Sequence, residues 1–219
     1  MVLKRPRILI ADDHALVAEA IRKLLEREFD VVGVVANGRL VLREAEKLRP
    51  DIILLDITMP EMNGIDAAKL LRETLPAVQL VFLTQQTDRQ YVQAAFQAGA
   101  KAYVVKQSAA ADLDRALKSV LDGRHYISPS LEAHLPSLAE LLSSPADLPV
   151  AAITARQREV LQLVAEGKTL KDVADALNIS VKAAEFHKRG IMEALKLRTT
   201  AELTRYALEH GLIAFKPSI

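Results

Sequence analysis

Residues 52–64, IILLDITMPEMNG, decide the fold, because an apolar run typical of a buried strand ends at the carboxylate of Asp56. Three other short apolar runs also end at polar side chains, namely Asp12 with Asp13, Thr84, and Lys106. In an open parallel sheet, ligands bind outside the carboxyl ends of the strands, so residues that are distant in sequence meet there. These strand ends are therefore expected to bring carboxylates, a hydroxyl and an ammonium group together.

The chemistry of this set predicts a phosphorylation site on Asp56. Three clustered carboxylates repel each other and favour a divalent cation, and a set of hard oxygen ligands suits Mg²⁺. An ammonium and a hydroxyl beside that cation would bind phosphoryl oxygens. No GxxxxGK[ST] or GxGxxG motif is found in the sequence, so a nucleotide site is not supported.

Composition limits the class of protein. The 219 residues, half of them hydrophobic, suit one large or two small packed domains. Because the chain has no cysteine, disulfides, Cys-ligated zinc and thiol catalysis are excluded. No apolar run reaches the roughly 18 residues that a membrane span needs, so we expect a cytoplasmic protein without a membrane partner.

The first half of the chain predicts an α/β fold of the (βα)5 flavodoxin-like type, with a central parallel sheet over residues 5–124. Strands are expected at 8–11, 31–36, 52–56, 80–84 and 102–105, and helices at 15–27, 40–48, 65–74, 89–98 and 110–121. Residues 125–149 are rich in serine and proline, which indicates a linker, and 131–142 are apolar enough to make it partly helical.

Residues 150–215 carry only helical signals and predict a small all-α domain. Thr154, Thr169, Ser180 and Thr199 stand where they can cap four successive helices. Two of these helices, joined by a short turn, form a helix-turn-helix candidate at about 170–189. The last 70 residues have a net charge of +3 and the remainder −2, which permits a nucleic-acid partner for the C-terminal domain.

The first domain resembles a two-component receiver domain. Asp12-Asp13, Asp56 followed by Met59-Pro60 and Gly64, Thr84, Tyr103 and Lys106 all stand in the order of that family. The resemblance implies that a sensor histidine kinase phosphorylates Asp56, with Mg²⁺ held by Asp13, Asp56 and the Thr58 carbonyl, and by Asp12 through water. Lys106 would pair with the acyl phosphate. Thr84 and Tyr103 would act as the switch, although simple packing in the sheet is the alternative for Tyr103.

The second domain resembles the LuxR-type helix-turn-helix, seen in residues 154–161, 179–182 and 210–213 and in His187. Together the two resemblances indicate a NarL/FixJ-type response regulator, a transcription regulator that binds double-stranded DNA as a homodimer on inverted half-sites. The candidates for DNA contact are Lys182, Glu185, Phe186, Lys188 and Arg189. The candidates for dimerisation are Leu203, Tyr206 and Ala207, with packing inside the domain as the alternative for Leu203 and Ala207.

Departures from the family pattern keep a second function open. Ala183 and Ala184 replace the usual Thr-Val pair, and Gly190 stands inside the recognition helix, where glycine costs about 1 kcal/mol relative to alanine. These changes leave the effect on DNA affinity undetermined. The alternative function is a phosphorylation-switched adaptor whose helical domain binds protein.

Three smaller interpretations rest on individual residues. Thr58 and Gln86 each lie two positions beyond a pocket residue and are expected to influence autodephosphorylation. His14 is interpreted as a helix-start residue rather than a metal ligand. A hydrolase of the phosphatase-like class would need a second acid at Thr58, so the protein is not expected to be an enzyme beyond self-catalysed phosphorylation and dephosphorylation.

Overall fold

The computed structural model describes residues 5–132, 135, 137–143 and 152–213. The first domain is a doubly wound parallel sheet with strand order β2-β1-β3-β4-β5-β6. The strands are β1 Arg7–Ala11, β2 Asp30–Val35, β3 Ile52–Leu55, β4 Gln79–Thr84, β5 Ala100–Val105 and β6 Tyr126–Ile127. The helices of this part are α1 Ala15–Leu25, α2 Gly38–Leu48, α3 Gly64–Thr74, α4 Arg89–Gln97, α5 Ala109–Leu121, α6 Pro129–Glu132 and α7 Leu138–Ser143, with a 3-10 turn at Lys106–Ser108. The predicted α/β fold is confirmed.

Apolar side chains bury both faces of the sheet. Because β3 has helices on both sides, all four of its residues are buried, and its continuous apolar run reflects this position. One core cluster lies between the sheet and α2, α3 and α4, and another between the sheet and α1 and α5. The strands end at one edge, where the polar residues of the sequence motif follow them.

The sixth strand was not predicted. Tyr126–Ile127 pairs in parallel with β5, inside the segment interpreted as a linker. Its attachment is polar as well: the fully buried Ser128 hydroxyl donates to Asp112 at 2.9 Å, and Ser108 donates to the same carboxylate at 2.6 Å. The Leu141 side chain of α7 is also buried against the first core cluster. The start of the linker is therefore part of the sheet.

The C-terminal domain contains α8 Ala155–Ala165, α9 Leu170–Leu177, α10 Val181–Ala194 and α11 Thr200–Glu209. All four predicted caps are confirmed: Thr154, Thr169 and Thr199 form capping boxes, and the Ser180 side chain accepts from the Ala183 amide. Asn178 adopts a left-handed conformation (φ 52°) and ends α9, so α10 starts after a short turn. A third core cluster joins the four helices.

In the described part of the chain, every helix is too short or too polar to cross a lipid bilayer.

Candidate phosphorylation pocket and DNA-binding helix

Lys106 links two carboxylates at the carboxyl end of the sheet. Its Nζ lies 2.7 Å from an oxygen of Asp56 and 2.7 Å from an oxygen of Asp12. Both carboxylates are 4% exposed and the lysine side chain is 7% exposed, so the three charges are shielded from solvent. The first, third and fifth strands thus place their terminal side chains within hydrogen-bonding distance of each other, as the sequence predicts.

At both Asp56 and Lys106, burial and the oppositely charged neighbour shift the pKa in opposite directions. Burial raises the pKa of Asp56, and the neighbouring Asp12 carboxylate adds to the effect, while Lys106 opposes it. Burial alone would lower the pKa of Lys106, but the two carboxylates outweigh it and raise that pKa above its usual value. One ammonium shared by two buried acids leaves negative charge in the pocket, a condition that favours a further cation.

The donor set next to Lys106 fits a hard divalent cation. Ligand atoms of Asp12, Asp13, His14 and Asp56 lie within 4.8 Å of one another. Three carboxylates in so small a space match the oxygen ligands that Mg²⁺ takes in proteins. His14 does occupy the position before α1, but its side chain does not cap the helix. Its Nδ1 instead lies 2.9 Å from Asp13 and 3.3 Å from Asp12, which its interpretation as a helix-start residue did not anticipate.

The two predicted switch residues, Thr84 at the end of β4 and Tyr103 within β5, are both buried. The Thr84 hydroxyl accepts from the Gln86 amide at 3.4 Å and acts to lower the pKa of the nearby Asp56. The Tyr103 side chain is fully buried, and its hydroxyl donates to the Gln86 carbonyl at 2.8 Å. Burial raises the pKa of Tyr103 well above its usual value. The tyrosine therefore already points inward in this structure.

Gly64 fixes the loop that carries Asp56 and Thr58. A Cβ at this position would lie 2.0 Å from the Asp56 carbonyl oxygen, so α3 can begin this close to the end of β3 only with glycine. The Asn63 side chain accepts from the Asp66 amide and caps α3. The MPEMNG part of the motif is thus a packing requirement of the pocket wall.

The residues predicted to contact DNA lie on α10. Lys182, Glu185, Phe186 and Arg189 are exposed, and Phe186 is 63% exposed. The Arg189 guanidinium lies 5.7 Å from the centroid of the Phe186 ring. Lys188 is half-buried and donates to the Thr200 hydroxyl at 2.8 Å, so it is held against the start of α11.

Comparison with known proteins agrees with both halves of this geometry. Residues 8–118 match the response regulator receiver domain, and residues 151–207 match the bacterial regulatory proteins of the luxR family. The chain belongs to the two-component response regulators. Transcriptional regulatory protein MctR of Rhizobium johnstonii is 31% identical over 95% of each chain. Oxygen regulatory protein NreC of Staphylococcus epidermidis is 34% identical over 95% of this chain and all of NreC.

A solved structure of two RcsB dimers bound to two parallel DNAs has a TM-score of 0.56 and 27% identity, covering 93% of this chain and 98% of that one. This response regulator therefore combines a receiver domain with a LuxR-type DNA-binding domain, and the adaptor alternative is not favoured.

The predicted dimerisation residues of this response regulator divide into two groups. Leu203 and Ala207 are fully buried in the core of their own domain, the alternative that the sequence left open, and they present no side-chain surface here. Tyr206 is half-buried, and its ring contacts the His210 ring edge-on at a centroid distance of 4.2 Å. Of these three residues, Tyr206 is therefore the one with side-chain surface open to a second copy.

Sequence reasoning missed a group of C-terminal residues that lie against the receiver domain. They are Arg158, Glu159 and Gln162 on α8, Glu166 at the C-cap of that helix, and His210 and Gly211 after α11. In the sequence, Arg158, Gln162 and Glu166 recur every four residues and so lie on one face of the helix. The same polar pattern is typical of a solvent-exposed helix face, so it does not by itself indicate a contact.

Proposed function

We propose that Asp56 accepts a phosphoryl group from a sensor histidine kinase and that this modification controls sequence-specific DNA binding and transcription. The observation that carries the proposal is the position of Lys106, whose ammonium lies 2.7 Å from both Asp56 and Asp12. An ammonium fixed beside a nucleophilic carboxylate would neutralise the charge of an incoming phosphoryl group. Because its DNA partner is cytoplasmic in bacteria, we place the activity in the cytoplasm.

The proposed reaction is an in-line displacement at phosphorus. An Asp56 carboxylate oxygen forms a bond to phosphorus as the bond from phosphorus to the donor imidazole nitrogen breaks, and the electron pair of that bond stays on the imidazole. The chain contributes mainly position and charge, which is sufficient for phosphoryl transfer. Lys106 would bind one phosphoryl oxygen, and the Thr84 hydroxyl is near enough to Asp56 to bind another.

Asp13, Asp56 and the Thr58 carbonyl would hold Mg²⁺, with Asp12 bound to it through water. When bound, the ion supplies positive charge that neutralises the phosphoryl oxygens. The clustering of the acids supports this assignment, and the ion would have to accommodate the His14 ring, whose Nδ1 lies 2.9 Å from Asp13. The same pocket would allow the chain to catalyse its own phosphorylation and dephosphorylation.

Exposed α10 residues support the proposed DNA contact. A recognition helix enters the major groove with its early side chains at the base edges. Lys182 would contact a phosphate, Arg189 a guanine, Glu185 a cytosine amine and Phe186 an apolar base edge. Lys188 would contact a second phosphate after its ammonium leaves the Thr200 hydroxyl. A homodimer would present two such helices to inverted half-sites, with Tyr206 of α11 at its contact.

Intact mass after incubation with Mg²⁺ and acetyl phosphate tests the phosphorylation site. Wild type should gain one phosphoryl group, and Asp56→Asn should gain none. Asp51→Asn is the matched control, because Asp51 is exposed and directly precedes the first residue of β3, whereas Asp56 follows its last. A phosphoryl group on both wild type and Asp56→Asn would remove Asp56 from its role.

Binding to random and selected duplexes over a range of salt tests the DNA partner. The logarithm of the binding constant should fall linearly with the logarithm of the salt concentration. Lys182→Ala should make this slope shallower by about 1. Arg205→Ala is the control, because Arg205 is 71% exposed on another helix. The absence of binding at low salt would support the adaptor function instead.

A further inference from the structure

Helix α8 lies against the receiver domain through a buried ion pair. The Arg158 guanidinium donates to both oxygens of Asp66, at 3.0 to 3.2 Å. The two side chains are only 13% and 8% exposed. A second pair, Arg39 with Glu159 at 3.0 Å, joins α2 to the same helix. Paired charges buried between the domains define a specific docked arrangement.

The same helix also follows the loop that leaves Asp56. The Gln162 amide, in a residue only 1% exposed, donates to the Met59 carbonyl at 2.5 Å. The Glu166 carboxylate accepts from the Glu61 amide at 2.9 Å. Burial raises the pKa of Glu166, in agreement with its position between the domains. The C-terminal domain thus covers the loop three to five residues beyond the phosphoacceptor.

The turn after α11 covers a third side of the pocket. The Tyr91 hydroxyl donates to the His210 carbonyl, and the Thr58 hydroxyl lies 3.4 Å from the Gly211 carbonyl. Gly211 has φ +59°, and a Cβ there would lie 2.7 Å from the Tyr91 hydroxyl and 2.9 Å from the Gln86 amide. The two residues predicted to influence autodephosphorylation therefore lie at the C-terminal domain: Thr58 contacts it directly, and Gln86 lies beside Gly211 and donates to the Thr58 hydroxyl.

Between the domains, a cavity of about 480 Å³ leads to the pocket. Its walls include Asp13 and Thr58 on the receiver side and Glu166, Lys168 and Leu208 on the C-terminal side. A helix with its side chains is about 10–12 Å wide and occupies roughly 400–600 Å³ per turn, so a phosphohistidine helix of two or more turns does not fit into this space. A small phosphodonor of a few heavy atoms does.

We propose that the docked C-terminal domain occupies the receiver surface through which a phosphohistidine protein must approach Asp56. Protein donors then transfer their phosphoryl group only when this domain is released, whereas small donors enter through the cavity. The inference rests on the proposed phosphorylation of Asp56. The cover is formed by α8 and the turn after α11, while the four exposed candidates on α10 keep their outward position. Docking therefore controls phosphotransfer by a route separate from access to DNA.

A comparison of two phosphodonors tests this proposal. One donor is acetyl phosphate, and the other is the autophosphorylated catalytic part of a histidine kinase that detectably labels the wild-type chain. If only the released form accepts from protein, the rate is proportional to its fraction. Arg158→Ala should raise the rate with the kinase on the order of tenfold, within the usual range for coupling between two sites. The rate with acetyl phosphate should be unchanged, as should both rates in Arg205→Ala.

A cross-linked protein gives the opposite perturbation and does not depend on the stability of Arg158→Ala. The chain has no cysteine, so Arg39→Cys with Glu159→Cys provides a unique pair across the two domains. After reaction with a short bismaleimide, labelling by the kinase should stop and labelling by acetyl phosphate should continue. The control is the same variant capped with a monofunctional maleimide.

Three results would overturn the inference: equal labelling of the cross-linked and capped proteins by the kinase, equal slowing of both donors, or no effect of Arg158→Ala with the kinase. Each is distinct from failure of the proposed function, because that failure would appear as an absence of label on Asp56 with acetyl phosphate.

Discussion

Replacement of Lys106 by methionine tests the electrostatics of the pocket directly. The substitution keeps a long unbranched side chain but removes the ammonium that lies 2.7 Å from both Asp12 and Asp56. The two carboxylates, each 4% exposed, then lose their common counter-charge while they remain buried. Removal of one partner of a buried pair costs about 3–5 kcal/mol in the free energy of unfolding.

The same substitution at an exposed lysine separates the effect of a buried charge from that of removing any lysine. Lys47 is 74% exposed and lies 3.9 Å from Glu44, so Lys47→Met should cost no more than about 1 kcal/mol. The loss in Lys106→Met should shrink as the pH falls, because burial raises the pKa of Asp56 and its protonation removes the repulsion. The chain has no tryptophan, so urea unfolding is best followed by far-ultraviolet circular dichroism.

Mg²⁺ should restore stability to Lys106→Met more than to wild type. A cation that binds the acidic cluster replaces the lost charge, and at a hundred times its dissociation constant it adds about 2.7 kcal/mol. In wild type, the ammonium already neutralises part of the cluster, so the gain should be smaller. Two results would contradict this account of the charges in the pocket. One is that Lys106→Met is as stable as Lys47→Met, and the other is that Mg²⁺ stabilises Lys106→Met and wild type equally.

Three further substitutions have defined outcomes. Burial acts to raise the pKa of Asp112, but hydrogen bonds from the Ser108 and Ser128 hydroxyls outweigh it and hold that pKa below its usual value. The carboxylate therefore contributes stability above the usual pKa range of a carboxyl group, and this contribution is lost in stronger acid. Asp112→Asn should cost about 1–3 kcal/mol at neutral pH in urea unfolding and flatten the loss of stability in acid. Gly190→Ala should gain up to about 1 kcal/mol of helix stability in urea unfolding, because the atom nearest to the new Cβ, the Gln157 amide nitrogen at 2.9 Å, ends a flexible side chain that can turn away; a loss of stability would contradict this. Gly211→Ala should release the C-terminal domain and enlarge the radius of gyration in X-ray scattering, whereas Gly167→Ala, also at positive φ but with open space around it, should not.

Strong local signals account for what the sequence predicted correctly. Buried parallel strands leave continuous apolar runs, and the polar residues that follow them meet at one sheet edge, so the contact of Lys106 with Asp56 followed from topology alone. The capping residues of α8 to α11 act within one helical turn, so they too can be identified without tertiary information.

Features that depend on distant partners escaped prediction. The strand Tyr126–Ile127 has two residues, too few to show a period, and forms because β5 offers a free edge. Leu203 and Ala207 share one helix face with Tyr206, and the sequence alone does not show whether that face meets the domain's own core or a second copy. The ring of His14 joined the acids through a side-chain orientation that no spacing rule encodes.

The composition of the contact between the domains explains how it can be both specific and reversible. Arg158 and Asp66 are held in one geometry by two-pronged hydrogen bonding, yet a buried ion pair is often no more stabilising than apolar residues of the same volume. Each hydrogen bond from Gln162 or to Glu166 adds only about 0.5–1.5 kcal/mol net. A polar contact of this kind discriminates against wrong arrangements at a small net free energy. A phosphodonor protein that binds the same receiver surface can therefore displace it, whereas an apolar contact of equal area would keep Asp56 closed.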